Sequence, residues 1–359
     1  MTILPVSAII IANAEIPLKS PRVRSLLTNR LIHQISFLLK KNGEPDIKIK
    51  RGEGRIIILN LRDLEKNIQT LSHVFGISTL SPVEIIKNER DEIITKAVEI
   101  FNSEYQGQSS FAVKARRFKD LPFTSYDLAN ELGRRIQLIY KNLEVNLSKP
   151  DLTIYIEARG DGAYIYSKKI NGPAGLPYGS QGTAVSLILD GYDVLAMWLL
   201  MRRGLKIIPI YIRLMSSQSK SDPILAEIKK VREIIPVGKF WIYRVDPPKE
   251  LRGRLSRRAL YRFASMIAAE ENAKGIGSGE RYDSSYQAST LPKETIYPIL
   301  RPLFFLQGKE IQAYRELASI SIDQKDVWKE RISKVTIGNN LDEETSRELF
   351  NHKIKVEIY

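Results

Sequence analysis

The 359-residue chain has no cysteine. That absence excludes disulfides, thiolate nucleophiles, cysteine persulfides, zinc ribbons and cysteine-held iron–sulfur clusters together. Any sulfur chemistry therefore needs an external carrier. Histidine is nearly as scarce. His33, His73 and His352 lie far apart without ligand-like spacing, so no metal site is expected. Long hydrophobic runs are missing too. The opening MTILPVSAIIIANA lacks a basic region, contains Pro5 and runs into charged sequence, which reads as a first strand. Val185 to Met201 is interrupted by Asp190, Gly191 and Asp193 and falls short of the ~20 apolar residues that span a bilayer. No membrane segment is expected, and the expected location is the cytoplasm.

Positive charge is abundant. Lys and Arg number 55 against 41 Asp and Glu, a formal net charge of +14. An excess of this size attracts polyanions at long range, and nucleic acid is the natural partner class. The 27% charged content is itself ordinary for a globular protein, so solvated helix faces account for many of these charges equally well. At 43% hydrophobic, the chain is long enough for two or three packed domains.

Periodicity predicts a strand over Val6–Ala14, a helix over Pro21–Lys40, short β segments at Ile47–Lys50 and Arg55–Leu59, and a helix over Leu61–Val74. Strand and helix layers in that order imply a small α+β domain. A helix over Glu84–Phe101, a strand FAVKARRF and a helix from near Ser125 follow. The strands DLTIYIEAR and GAYIYSKK are joined by Gly160, Asp161 and Gly162 as a hairpin. The Gly- and Pro-rich stretch Asn171–Gly182 reads as a linker or docking loop. Beyond it, near-continuously apolar strands alternate with helices, the pattern of a doubly wound parallel sheet, starting near Ala174.

Such sheets bind ligands at the carboxyl ends of their strands. Here that address comprises Leu187, Ile188 and the loop LDGYDV, Tyr211, Ile212, and the loop at Gly279 and Glu280, with Arg257 on the preceding helix. A phosphate cradle there needs glycines for close backbone approach and hydroxyls for donation. The LDGYDV loop offers one glycine, Gly191, and no hydroxyl except that of Tyr192. Such a loop is expected at the surface, on the carboxyl edge of the sheet.

The run GLPYGSQGTAVSLILDGYDVLAMWLLMRRGLKIIPIYI resembles the linker and pyrophosphatase loop of tRNA 4-thiouridine synthetases, whose loop reads SGG-x-DS. The resemblance covers most of the chain, in the same order. EIPLKSPRVR is similar to the family's opening domain; FAVKARRFKDLPFTSYDLANELGRRI and VNLSKPDLTIYIEARGDGAYIYSKK resemble its THUMP domain. SRRALYRFASMIAAEENAKGIGSGERYDSSYQ and ILRPLFFLQGKEI resemble the second half of its adenylating domain.

The resemblance implies an α/β protein of four segments: a ferredoxin-like α+β domain over 1–75, a THUMP RNA-binding domain over 76–173, a pyrophosphatase-loop, HUP-like doubly wound domain over 174–320, and a C-terminal extension over 321–359. Family members adenylate a tRNA uridine with ATP, and a persulfide or sulfide then displaces AMP. Carried over by position, Leu187, Ile188, Asp190, Gly191, Tyr211, Ile212, Arg257, Gly279 and Gln287 line the ATP pocket, and Asp193 matches the loop's essential aspartate. ATP and Mg²⁺ are the implied cofactors if that activity is kept; otherwise none is.

The departures fall at the chemistry. Leu189 stands at the first Ser of the loop, Asp190 at the first Gly and Val194 at the second Ser. Asp283 and Ser284 replace a Gly-Gln pair, and the catalytic cysteine is absent. A carboxylate ~4 Å from a phosphate costs on the order of 4 kcal/mol at an effective dielectric near 20, unless Mg²⁺ bridges the two.

The RNA-binding candidates are Lys114, Arg116, Arg117 and Lys119 on a basic strand and its edge, Arg134 and Arg135 at the end of the next helix, and Lys149 before the hairpin. Lys19, Arg22 and Arg24 start the first helix, where cations oppose the helix dipole unless an anion lies nearby. Arg252, Arg254, Arg257, Arg258 and Arg262 form another cluster, of which Arg258 joins the RNA set. Tyr155, Tyr164 and Tyr166 alternate on the hairpin and read as packing residues. The expected protein binds tRNA on a synthetase scaffold with an eroded ATP loop. Two alternatives stay open: an active tRNA sulfurtransferase with an external sulfur donor, and a structured-RNA-binding part of a ribonucleoprotein. A homodimer is also left open.

Overall fold

The computed structural model describes residues 8–52, 54–118, 121–214, 222–282, 295–320 and 339–358. It divides into two compact units, Met1–His73 with Ile77–Ala174, and Val74–Gly76 with Gly175–Tyr359.

In the first unit, β1 (Ala8–Ala12) lies antiparallel between β3 (Arg55–Leu59) and β4 (Thr79–Ile86), with β2 (Lys48–Gly52) beyond β3. Two helices, α1 (Pro21–Lys41) and α2 (Leu64–Leu71), accompany these strands. Then come α3 (Arg90–Glu104), β5 (Ser110–Arg117), α4 (Ser125–Ile139), β6 (Glu144–Val145), β7 (Leu152–Arg159), β8 (Gly162–Tyr166) and β9 (Ile170–Asn171). The strands form one sheet in the order β2-β3-β1-β4-β8-β7-β5-β6, with β9 beside β4.

Strand β4 joins the two halves of that sheet. Its first residues pair with β1 and its last three with β8. The helix expected from Glu84 therefore begins only at Arg90. Pro82 sits inside the strand and weakens the sequence signal, because proline cannot donate to a ladder. Helix α4 starts where expected, in a capping box between Thr124 and Asp127. Its apolar side, Leu128, Leu132 and Ile136, packs with Ile93, Ala97 and Phe101 of α3 against β7.

A buried charge cluster lies in this sheet. Glu157 is 3% exposed and accepts from Arg55 Nη2 at 2.9 Å, Arg159 Nη2 at 2.5 Å and the Tyr166 hydroxyl at 3.1 Å. Burial pushes its carboxyl upward, but the hydrogen bonds and charges of Arg159 and Arg55 outweigh this and hold it below the usual carboxylate range. A lowered folded-state value means the unfolded chain binds the proton more readily. The stabilisation is therefore present above the ordinary carboxylate range and is lost as pH falls through the folded-state value. Wild type is expected to lose stability more steeply below about pH 4 than Glu157→Gln, read by denaturant unfolding at a series of pH values. Parallel curves would contradict this.

The second unit contains β10 (Thr183–Ile188), α5 (Gly191–Arg202), β11 (Lys206–Ile212), α6 (Pro223–Glu233), β12 (Trp241–Val245), α7 (Lys249–Arg252) and α8 (Arg257–Glu270). It continues with β13 (Ile276–Gly277), β14 (Ile299–Leu300), α9 (Gly308–Ala318), α10 (Asn339–Asn351) and β15 (Lys353–Glu357). The sheet order is β14-β13-β10-β11-β12-β15, and only β15 runs antiparallel. Ile188, Ile207 and Tyr211 face one apolar layer with Trp198 of α5 and Ile228 of α6. Val185, Leu187 and Ile210 face the other, with Leu260 and Phe263 of α8. Apolar residues on both strand faces are what a covered parallel sheet requires. The C-terminal segment closes this unit, with β15 extending the sheet and Ser346 of α10 donating to the Ala259 carbonyl of α8. Among the described residues, no helix is long and apolar enough to cross a membrane.

Candidate nucleotide loop and basic face

The chain runs outward from β10 in both directions, through β11 and β12 on one side and β13 and β14 on the other. The carboxyl ends of β10 and β13 are thus the topological switch point, where ligands of doubly wound sheets sit. Two loops meet there. Asp193 Oδ2 accepts from the Leu189 N–H at 2.8 Å, and its Oδ1 accepts from the Gly279 N–H at 2.5 Å. A Cβ on Gly279 would lie 2.5 Å from the Asp193 nitrogen, so only glycine allows this approach.

The first turn of α5 is already capped. Asp190 is its N-cap residue, and Oδ1 accepts from the N–H groups of Tyr192 at 2.8 Å and Asp193 at 3.2 Å. Such N–H groups at a helix start after a strand are the donors that bind phosphate in a nucleotide loop. Here the chain supplies its own anion to them. The loop is also buried, correcting the expectation that it lies on the surface: Leu189 is 3% exposed, Asp190 4% and Asp193 0%. Leu189 and Val194 cause this by joining the two apolar layers.

Other expected pocket residues are engaged elsewhere. The Leu187 and Ile188 side chains point into opposite apolar layers, Ile212 is fully buried, and the Tyr211 hydroxyl donates to Asp222 at 2.6 Å. Gly191 is buried in the first turn of α5. Arg257 Nε pairs with Glu280 Oε1 at 2.5 Å, and Arg301 Nε with Oε2 at 2.6 Å. The Tyr261 hydroxyl donates to that same Oε2 at 2.7 Å. Burial pushes this phenol well above its ordinary value, so it stays a donor. Glu280 and Arg301 were not foreseen as a pair, because 21 positions separate them in sequence. Gln287, Asp283 and Ser284 lie outside the described residues. No cluster of three or more potential metal ligands occurs among the described residues.

A nucleotide phosphate placed at this helix start would meet the buried Asp190 carboxylate where it needs donors, and a desolvated like-charge contact is strongly unfavourable.

On the first unit, Lys114 and Arg116 are exposed on β5, in register with Tyr155 and Glu157 of β7. The Lys169 ammonium lies 3.6 Å from the Tyr155 ring centroid, and Tyr155 stacks on Tyr166 at 5.0 Å. Burial first, then neighbouring Arg116, Arg55 and Lys114, push the Lys169 ammonium down, Glu157 opposing them. Cations crowded enough to disfavour one another favour an anionic ligand. Lys169 was missed in the sequence because only strand pairing brings it to β5.

The remaining candidates divide. Arg117 Nη1 donates to the Leu121 carbonyl at 3.0 Å, and Arg134 and Arg135 both bind Glu131, so these three have intramolecular roles. Lys149 is exposed, Arg258 is half-buried on α8, and Lys119 lies outside the described residues. Lys19 and Arg22 are exposed at the start of α1, whose first turn holds no acidic residue and whose Ser20 side chain does not cap it. Arg24 lines a cleft of about 240 Å³ together with Arg51 and Arg55.

Comparison with known proteins agrees with this layout. The chain matches the ThiI ferredoxin-like domain over residues 8–81 and the THUMP domain over residues 87–168. It is 33% identical over 324 residues to a probable tRNA sulfurtransferase of Saccharolobus islandicus, covering 84% of each chain. A probable tRNA sulfurtransferase of Methanosarcina mazei is 30% identical over 329 residues, covering 85% of this chain and 80% of that one. A crystal structure of a Pyrococcus horikoshii protein superposes with a TM-score of 0.69 at 26% identity, over 86% of this chain and 98% of the other. A 4-thiouridine synthetase–RNA complex with bound ATP superposes with a TM-score of 0.74 at 22% identity, over 99% and 100%. At that identity, the second superposition speaks for the fold alone. The chain belongs to the tRNA sulfurtransferase family.

Proposed function

We propose that this protein is a cytoplasmic tRNA-binding member of the family whose nucleotide loop is closed and which no longer adenylates or thiolates RNA. One observation carries the reading: the Asp190 carboxylate occupies the N–H groups at the start of α5 that a nucleotide phosphate needs. The lack of any cysteine supports it independently, since no residue can carry a persulfide. The exposed cations Lys114 and Arg116, with Lys169 beside them, support RNA binding through phosphate contacts.

The test uses the full chain with tRNA, ATP, Mg²⁺ and sulfide. Mass spectrometry of the digested tRNA is expected to show no 4-thiouridine above a control without protein. The protein is expected to bind that tRNA with an affinity that falls steeply with salt. Lys114→Gln with Arg116→Gln is expected to flatten the slope of log K against log[salt] by about 1.4 to 1.8, at ~0.7 to 0.9 per lost contact. Appearance of 4-thiouridine would overturn the loss of catalysis, and an unchanged slope would move the RNA surface elsewhere.

A further inference from the structure

Near the closed loop, two exposed aromatic side chains, Phe305 and Tyr282, form a shelf with the half-buried Phe304. Phe305 is 82% exposed and Tyr282 58%. Phe304 and Phe305 meet edge to face with centroids 4.9 Å apart, Tyr282 and Phe304 at 5.7 Å, and Tyr282 lies at 29° to Phe305 at 6.3 Å. A single exposed aromatic is unremarkable on a protein surface, whereas an interlocked group with open ring faces leaves a contiguous apolar area in water. The shelf is held from below. The Tyr282 N–H donates to the Phe304 carbonyl at 2.9 Å, so the backbone ties the two segments together.

Its position gives it meaning. Tyr282 follows Glu280 by two residues, at the switch point of the parallel sheet. Arg281 stacks its guanidinium over Tyr192 of α5 at 4.0 Å, and Arg301 lies 5.7 Å from the Phe304 ring centroid. Exposed aromatic rings beside the Arg281 guanidinium, on a chain of net charge +14, suit a flat ring tethered to phosphates. An apolar protein segment would gain nothing from that charge.

We propose that Phe305, with Tyr282 beside it, stacks an unpaired nucleobase of bound RNA next to the closed loop. This rests on the RNA-binding reading above and adds a contact surface on the second unit. Stacking removes apolar area from water without neutralising phosphate, so it strengthens affinity and leaves the salt slope alone.

The test measures binding of the full chain to tRNA, to a single-stranded oligouridine and to a fully paired RNA duplex, each at several salt concentrations. Phe305→Ala is expected to weaken tRNA and oligouridine binding by about 5- to 150-fold, the range for losing one stacked base. Duplex affinity and all salt slopes are expected to stay as in wild type, and Phe305→Tyr is expected to retain binding. Tyr282→Ala is expected to act in the same direction as Phe305→Ala. Equal oligouridine and tRNA affinity in wild type and Phe305→Ala would overturn the stacking role while RNA binding stands. An equal loss on duplex would also overturn it, because a fully paired helix offers no free base. Failure of the wild type to bind any RNA would overturn both readings.

Discussion

Asp190→Gly is expected to bind ATP with Mg²⁺ roughly a thousandfold more tightly than wild type, which is expected to show no binding at millimolar nucleotide by calorimetry. Two effects act together. Removing the carboxylate abolishes a repulsion on the order of 4 kcal/mol at ~4 Å and an effective dielectric near 20, which corresponds to about three decades in affinity. It also releases the N–H groups of Tyr192 and Asp193 that Asp190 now occupies. Loss of the N-cap costs little, since Asp to Gly at such a position is worth only a few tenths of a kcal/mol, on the order of 0.3. Asp190→Asn separates the two effects, because an amide oxygen can keep the cap while the charge is gone. Asn is therefore expected to fall between wild type and Gly. Hydroxyls at Leu189 or Val194 would not help, for both side chains are buried in apolar layers. If instead wild type binds ATP and Mg²⁺ and Asp190→Asn weakens it, Asp190 organises a metal and the site belongs to an altered enzyme.

Glu280→Gln is expected to destabilise the second unit by about 3 to 5 kcal/mol, the range for breaking a buried ion pair from one side. Glu280 is 2% exposed and holds Arg257 on one oxygen and Arg301 and Tyr261 on the other. The amide keeps the shape but leaves two guanidinium groups facing one neutral acceptor. Denaturant unfolding followed by tryptophan fluorescence reads the change, since Trp198 and Trp241 both lie in this unit. A shift below about 1 kcal/mol, the value of an exposed ion pair, would mean that the Glu280 pairs hold Arg257 and Arg301 only weakly. The closed-site reading would then lose one of its supports.

Much of this protein was legible from local pattern. Helix α4 announces itself through Thr124 and Asp127 at capping-box spacing, and β10 and β11 through runs apolar on both faces. Asp190 stands out because it places a carboxylate at the loop's first glycine, and Asp193 because it matches the loop's essential aspartate. Strand β4 was not legible, because Pro82 and Glu84 disguise a segment defined by its partners β1 and β8.

The sequence by itself determined the absence of thiol chemistry, the basic balance, the order of elements and the altered loop, since each follows from residue identity or from periods of a few residues. Only the tertiary structure decided where the loop's charges go. Asp190 turns back onto the N–H groups of its own helix, Asp193 ties β10 to the Gly279 loop, and Glu280 gathers Arg257 and Arg301. The same holds for Lys169, which reaches the β5 cations across paired strands, and for Phe305, which meets the Tyr282 ring where the neighbouring Phe304 carbonyl accepts from the Tyr282 N–H. The physical reason is common to all of them except Asp190, whose partners Tyr192 and Asp193 follow it on its own helix. A charge or ring is read from its own position, but its partner is chosen by chain crossings that bring residues tens of positions apart within a few ångströms, where burial makes the pairing strong.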